Sequence, residues 1–93
     1  MVPENRLPAH PGEILKEEFL APPGIAQTVL AAHPGIPVQR VNELINGKRG
    51  VSAETAWLLA KAFRTLPEFW MNLQSMYDLA VHRVQRKVLP LTG

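Results

Sequence analysis

The stretch IAQTVLAAHPGIPVQRVNELINGKR, residues 25–49, decides the fold of this chain. Its pattern predicts two short helices, residues 26–32 and 38–46, joined by a tight turn at Gly35, because glycine tolerates the positive φ that such turns often need. The second helix has an apolar face at helical spacing, formed by Val41, Leu44 and Ile45. This is the arrangement of a helix-turn-helix, whose second helix presents side chains to the major groove of DNA.

Outside this stretch the pattern predicts three more helices. The first begins at Pro11, since proline suits the first helical position, and ends before the Pro-Pro-Gly run at residues 22–24. Gly47 is expected in the left-handed conformation at the end of the second helix of the motif. Ser52 is the expected cap of a helix over residues 53–64, and a last helix covers residues 67–87. Strand signals are absent from the sequence, so the predicted fold class is all-α with five helices.

Length and composition limit the domain organisation, the kinds of site and the location that the chain can have. The 93 residues suit one domain: a loose N-terminal segment (1–9), a helix-turn-helix domain (10–87) and a short tail (88–93). A chain this short gains stability from dimerisation. Without cysteine it has no disulfide framework and no zinc–thiolate site. We find no signal peptide and no apolar run long enough to span a bilayer, so we expect a cytoplasmic location and no membrane partner.

The net charge of +2 is unevenly distributed. Residues 36–64 and 79–93 carry +3 each, whereas residues 1–35 and 65–78 carry −2 each. Positive charge therefore gathers on the second helix of the motif, on the segment after it and on the tail. This is a modest electrostatic footprint for a phosphate partner, although an ordinary solvated face has the same composition.

Three further segments carry a family resemblance. HPGEIL at 10–15, NGKRGVSAETA at 46–56 and PEFWMNLQSMYDL at 67–79, with the helix-turn-helix between them, resemble the HigA-type antitoxins. These are phage-repressor-like helix-turn-helix proteins, and some carry the name virulence-associated protein I. The resemblance implies a five-helix, lambda-repressor-like domain that forms a homodimer. It also implies an antitoxin that neutralises a small mRNA-cleaving ribonuclease and represses its own operon by binding operator DNA.

The expected DNA contacts lie at the start and on the outer face of the second helix of the motif. Arginine pairs with guanine and glutamine with adenine through two hydrogen bonds, so Gln39 and Arg40 are the predicted base-reading pair. Val38 would touch a thymine methyl group or nothing, and Gln27 resembles the glutamine that such domains set against a phosphate. The full predicted set of DNA-binding residues is Gln27, Val38, Gln39, Arg40, Asn42, Lys48 and Arg49.

Aromatic residues concentrate in the last two helices. They fall at packing spacing, which indicates core or dimer interface rather than a platform for stacking nucleotides. Trp70 and Tyr77 are the predicted partner-facing residues. A toxin would bind elsewhere, and the acidic first helix, with Glu13, Glu17 and Glu18, could attract a small basic ribonuclease.

The sequence does not indicate metal binding or catalysis. The three histidines are scattered over helix ends, and no pair has a metal-ligand spacing on one helix. No Ser-His-Asp order, glycine-rich phosphate loop or catalytic carboxylate pair emerges, so we expect no enzyme, no metal and no cofactor. Two alternatives remain open: a helix-turn-helix regulator without a toxin, and a protein-binding module that has lost DNA contact. Pro34 and Pro37, inside the motif, favour the second alternative.

Overall fold

Five helices make up the part of the chain that the computed structural model describes, residues 8–92. They are α1 (Pro11–Ile14, continued by a π-helical segment, Leu15–Leu20), α2 (Gln27–Ala32), α3 (Val38–Ile45), α4 (Ala53–Phe63) and α5 (Pro67–Val81). The all-α prediction is confirmed, and no strand forms between residues 8 and 92. The predicted disorder of residues 1–9 falls mostly outside the described residues and stays a prediction.

The first turn of α1 is built against the end of α3. The His10 side chain caps the helix, with its Nδ1 accepting a hydrogen bond from the Gly12 N–H at 2.9 Å. Pro11 follows at the first helical position and is buried. A Cβ atom at Gly12 would lie 1.8 Å from the Leu44 carbonyl oxygen, so only glycine allows this approach. The start of α1 therefore sets where α3 lies.

The rest of the first helix differs from the sequence expectation. We predicted one α-helix, but the Ala21 N–H donates to the Lys16 carbonyl at 2.9 Å, five residues back, as in a π-helix. The wider turn brings Leu15 and Leu20 to the same side, and both are buried. An apolar pattern at α-helical spacing does not reveal this change.

Trp70 lies at the centre of the core rather than on a partner-facing surface. Its side chain is fully buried, and its ring centroid lies 5.0 Å from that of Phe19. The indole Nε1–H donates to the Thr65 hydroxyl at 2.8 Å, which satisfies its one polar atom. The prediction of Trp70 as a dimer contact is therefore wrong. Tyr77 is half-buried, and its ring centroid lies 4.9 Å from that of His10 in an edge-on arrangement. Its role in a dimer stays a prediction.

The last two helices match the expected pattern at their starts but not at their ends. Ser52 caps α4 as predicted, with its hydroxyl accepting from the Thr55 N–H at 3.3 Å. α5 ends at Val81, so the predicted extension to Lys87 is wrong. The apolar residues that follow α5 in the chain, such as Val84, are exposed. A helix over these residues would have no core to pack against.

An exposed apolar surface covers one side of α5. Phe69, Met76 and Leu79 form this α5 surface, and Leu79 is 75% exposed. Their spacing of seven and three residues places them along one side of the helix. Trp57 is also 57% exposed on α4. The domain therefore shows more apolar area than its own core uses.

Candidate nucleic-acid interface

The sequence of α3 produces a helix with one buried and one open side. Val41 and Leu44 are buried in the core, three residues apart, and they fix the helix orientation. On the opposite side Val38, Gln39 and Asn42 are exposed. The predicted start at Val38 and the predicted exposure of the outer face agree with the structure, and the contact of these residues with DNA stays a prediction.

Three side-chain amides form a connected row across α2 and α3. Asn42 Nδ2 donates to Gln27 Oε1 at 3.3 Å, and Asn46 Nδ2 donates to Asn42 Oδ1 at 3.2 Å. The row joins the start of α2 to the end of α3, so it fixes two of the predicted contact residues relative to each other. Amides are both donors and acceptors, which is what recognition of an adenine edge requires.

Arg40 is placed differently from our expectation. Its Nη2 donates to Glu54 Oε1 at 2.6 Å and to the Thr55 hydroxyl at 2.9 Å, both on α4. Only 24% of its side chain is exposed. Residue 40 lies about 100° around the helix from Gln39, which turns it toward α4 rather than outward. The predicted base-reading pair of Gln39 and Arg40 is therefore corrected: in this conformation Gln39 faces outward and Arg40 bridges α3 to α4.

A basic loop, residues 46–51, follows α3. The helix ends as predicted with Gly47 in the left-handed conformation, φ 72°, and the Lys48 N–H donates to the Glu43 carbonyl at 2.9 Å. Arg49 donates from Nε and Nη2 to Glu43 Oε1 at 3.2 and 3.0 Å. Lys48 and Arg49 are both exposed, so the loop offers two cations beside the open face of α3.

Gln74 of α5 holds the far end of the basic loop, a role that the sequence analysis missed. Its Oε1 accepts a hydrogen bond from the Val51 N–H at 2.7 Å, and its Nε2 donates to Asp78 Oδ1 at 2.8 Å. Gly50 lies directly against the same amide. A contact between residues 23 positions apart leaves no periodic signal in the sequence.

His10 is the second residue whose role the sequence did not give. Besides capping α1, its ring packs beside Gly47 of the basic loop and edge-on to Tyr77. Burial lowers the pKa of its imidazole below the ordinary value of 6.5, while the nearby Asp78 and Glu13 carboxylates oppose that shift. The neutral ring is the form that accepts the Gly12 N–H, so capping and burial favour the same protonation state.

Residues 8–92 contain neither a metal-binding cluster nor a membrane-spanning helix. No group of three or more His, Cys, Asp or Glu side chains there is arranged to hold a metal ion. None of the described helices combines the length and apolar character that a bilayer crossing requires.

The chain is similar to known helix-turn-helix proteins. The helix-turn-helix family model matches residues 15–70. The chain is similar to antitoxin HigA-1 of Vibrio cholerae, with 47% identity over 76 residues that cover 81% of this chain and 70% of that protein. It is also similar to virulence-associated protein I of Dichelobacter nodosus, with 36% identity over 94 positions that cover 96% of this chain and 87% of the relative.

A solved structure extends the similarity to three dimensions. The Pseudomonas aeruginosa antitoxin HigA with the higBA promoter superposes with a TM-score of 0.83 and 39% sequence identity. The match covers 90% of this chain and 98% of that one.

Proposed function

We propose that this chain, which belongs to the helix-turn-helix family of the HigA-type antitoxins, binds the operator DNA of its own operon and neutralises a small mRNA-cleaving ribonuclease. Its role is binding rather than catalysis. The observation that carries the proposal is the open face of α3, where Gln39 and Asn42 stand exposed above a buried Val41 and the basic loop follows directly. The solved relative that superposes on this chain is an antitoxin HigA with the higBA promoter.

In this proposal each part of the interface has its own task. Val38, Gln39 and Asn42 meet base edges in the major groove, with Gln27 orienting Asn42 through the amide row. Lys48 and Arg49 meet phosphates, for which a charge on a loop needs little geometric precision. Phosphate contacts give affinity without sequence preference, and base contacts give the preference.

Operator recognition further requires a homodimer. Two copies related by a two-fold axis would place their α3 helices in successive major grooves, roughly 34–36 Å apart. The α5 surface replaces Trp70 as the proposed contact between copies, since Met76 and Leu79 are exposed there and Trp70 is not. Tyr77 would border this contact.

The toxin contact is proposed from charge. Glu13, Glu17 and Glu18 are exposed along the first helix, and a basic ribonuclease would be attracted to them. Replacement of all three by lysine should abolish neutralisation, and a chain so changed that still protects cells would contradict this placement.

Two experiments test the function. In a gel-shift assay with the DNA upstream of its own gene, we expect a shifted band that competitor DNA of unrelated sequence does not remove. No shift would favour the alternative of a protein-binding module that has lost DNA contact.

Co-purification then separates an antitoxin from a regulator without a toxin. The chain is expressed with the small basic protein encoded beside it, and only this chain carries an affinity tag. We expect the neighbour to be retained in a stable complex and to be toxic when expressed alone. A neighbour that is neither retained nor toxic would leave the regulator as the better description.

A further inference from the structure

We propose that Gln74 is a positioning residue for DNA binding: its side-chain amide on α5 fixes the basic loop and so aims Lys48 and Arg49 at the phosphates. This inference rests on the proposed function, because it needs a state bound to the operator. Gln74 itself would touch no DNA.

The first support is the hydrogen bond between α5 and the end of the loop. Gln74 Oε1 accepts the Val51 N–H at 2.7 Å, and Val51 is only 5% exposed. A largely buried backbone N–H that loses its acceptor carries the full cost of its desolvation, so the bond favours one position of residue 51. Residue 51 is two residues from Arg49, so a shift of the backbone at residue 51 would also move the Arg49 side chain.

The second support is that the amide has a fixed orientation. Gln74 Nε2 donates to Asp78 Oδ1 at 2.8 Å, one helical turn further along α5. With its nitrogen held by the carboxylate, the amide presents its oxygen to the loop. A glutamate at this position would accept from Val51 but would repel Asp78, so the pair of bonds requires a neutral amide.

The third support is the close contact between the amide and Gly50. A Cβ atom at Gly50 would lie 3.0 Å from Gln74 Oε1, 3.1 Å from Cδ and 3.2 Å from Nε2. These distances are shorter than ordinary van der Waals contact. The loop backbone therefore lies directly on the amide, and the glycine makes this approach possible.

The loop is held at its other end by α3. The Lys48 N–H bonds to the Glu43 carbonyl and the Arg49 side chain to the Glu43 carboxylate. With Gln74 at residue 51, the short segment bearing both cations is fixed at each end, while the two side chains stay exposed. Removal of the Gln74 amide would free one end, and DNA binding would then have to order it.

Fluorescence anisotropy with a labelled duplex of the chain's own upstream DNA tests this role across a series of salt concentrations. The main variant is Gln74→Met, which keeps the length of the side chain and removes both hydrogen bonds. We expect about threefold to tenfold weaker binding, the loss that follows from one hydrogen bond that positions a contact. Asn72→Ala, an amide removed from an exposed position on the same helix, is the matched control and should bind as the parent chain does. Thermal melting confirms that each variant is folded at the assay temperature.

A double-mutant cycle separates positioning from general structure. If Gln74 acts through the loop, Gln74→Met should reduce DNA affinity little in a chain that already carries Lys48→Ala and Arg49→Ala. In the parent chain, Gln74→Met should also reduce the salt dependence of DNA binding. Gly50→Ala offers a second route, since it displaces the amide without removing it. We expect Gly50→Ala to weaken binding in the parent chain and to have no effect beside Gln74→Ala.

The outcomes distinguish this inference from the function on which it rests. Parental affinity in Gln74→Met, or an equal loss with and without the loop cations, overturns the positioning role while leaving operator binding intact. If the parent chain itself fails to bind its upstream duplex, the proposed function falls and the inference falls with it.

Discussion

The outer sides of α3 and α5 are both open to solvent, yet they differ in chemistry. α3 presents amides, Gln39 and Asn42, and is followed by the cations of the basic loop. α5 presents Met76 and Leu79, whose exposed apolar area is costly in water. A hydrated, charged duplex suits the first surface and a second protein surface suits the other. The proposed DNA contact and the proposed contact between copies therefore lie on separate faces of one small domain.

The difference begins with what each helix buries. α3 uses two aliphatic residues, Val41 and Leu44, to hold its inner side, and Ile45 borders the core. Its remaining residues are polar except Val38, which is exposed at the start of the helix. α5 buries Trp70 completely and still has apolar residues on the opposite side. Met76 and Leu79 stay exposed in a single copy of the chain, which is why we propose the contact between copies on that helix.

The largest expected effect comes from removing the support that α3 needs to form its face. Gly12→Ala would put a Cβ atom 1.8 Å from the Leu44 carbonyl oxygen and push α1 away from α3. We expect a loss of about 3 kcal/mol in the free energy of unfolding, measured by urea denaturation. Helix propensity alone predicts the opposite sign, since alanine is the better helix former. The neighbouring exposed substitution Glu13→Ala should change stability little, and a stabilised Gly12→Ala would refute the close packing.

The second effect would break the α5 face alone. Leu79→Asp places a charge in the proposed contact between copies, and we expect a monomer by sedimentation at micromolar concentration. Binding of the full operator should fall on the order of a hundredfold, because two half-sites are no longer engaged together. The fold should persist, since Leu79 is exposed in the single chain. A dimeric Leu79→Asp chain would remove α5 from the interface.

The third effect would break the α3 face alone. Gln39→Ala removes an exposed amide from the middle of the proposed reading surface, and we expect about tenfold weaker operator binding in a gel-shift titration. Affinity for unrelated DNA should stay the same, as should dimerisation. Equal losses for operator and unrelated DNA would mean that Gln39 meets the backbone rather than a base.

The smallest effect concerns His10. It supports α3 by capping α1, which packs against α3, and it supports α5 by its ring contact with Tyr77. Its pKa in the folded chain lies below 6.5, so the unfolded chain takes up the proton first as the pH falls. This contribution to stability is complete above about pH 6.5 and decreases as the pH falls toward the lowered value. We expect a lower melting temperature at about pH 5.5 than at pH 7.5, and a smaller difference in His10→Asn, where asparagine can still cap. A His10→Asn chain with the parental pH dependence would contradict this role.

The sequence predicted the scaffold better than the site. Val41 and Leu44 gave the orientation of α3, and Ser52 and Gly47 gave helix ends, because apolar spacing and capping are local signals. Trp70 was misplaced because a helical stripe does not say which of two apolar faces is inward. Arg40 was misplaced because its partner, Glu54, lies 14 residues away and depends on how α4 packs.

The structure explains why particular residues stand in the HPGE and NGKRG segments. The histidine caps α1 and the following proline begins it, while Gly12 allows the approach of α3 and Gly47 ends that helix. Gly50 makes room for the amide of Gln74. The sequence identified these segments by resemblance, and only the tertiary contacts show why each position holds the residue that it does.

The most direct test of the division between the two faces is nuclear magnetic resonance of the ¹⁵N-labelled chain titrated with its own upstream duplex. We expect the side-chain amides of Gln39 and Asn42 and the backbone amides of residues 46–51 to shift most. The backbone amides of Met76 and Leu79 should shift little if the dimer is already formed. Shifts confined to α5, with α3 and the basic loop unchanged, would contradict the account.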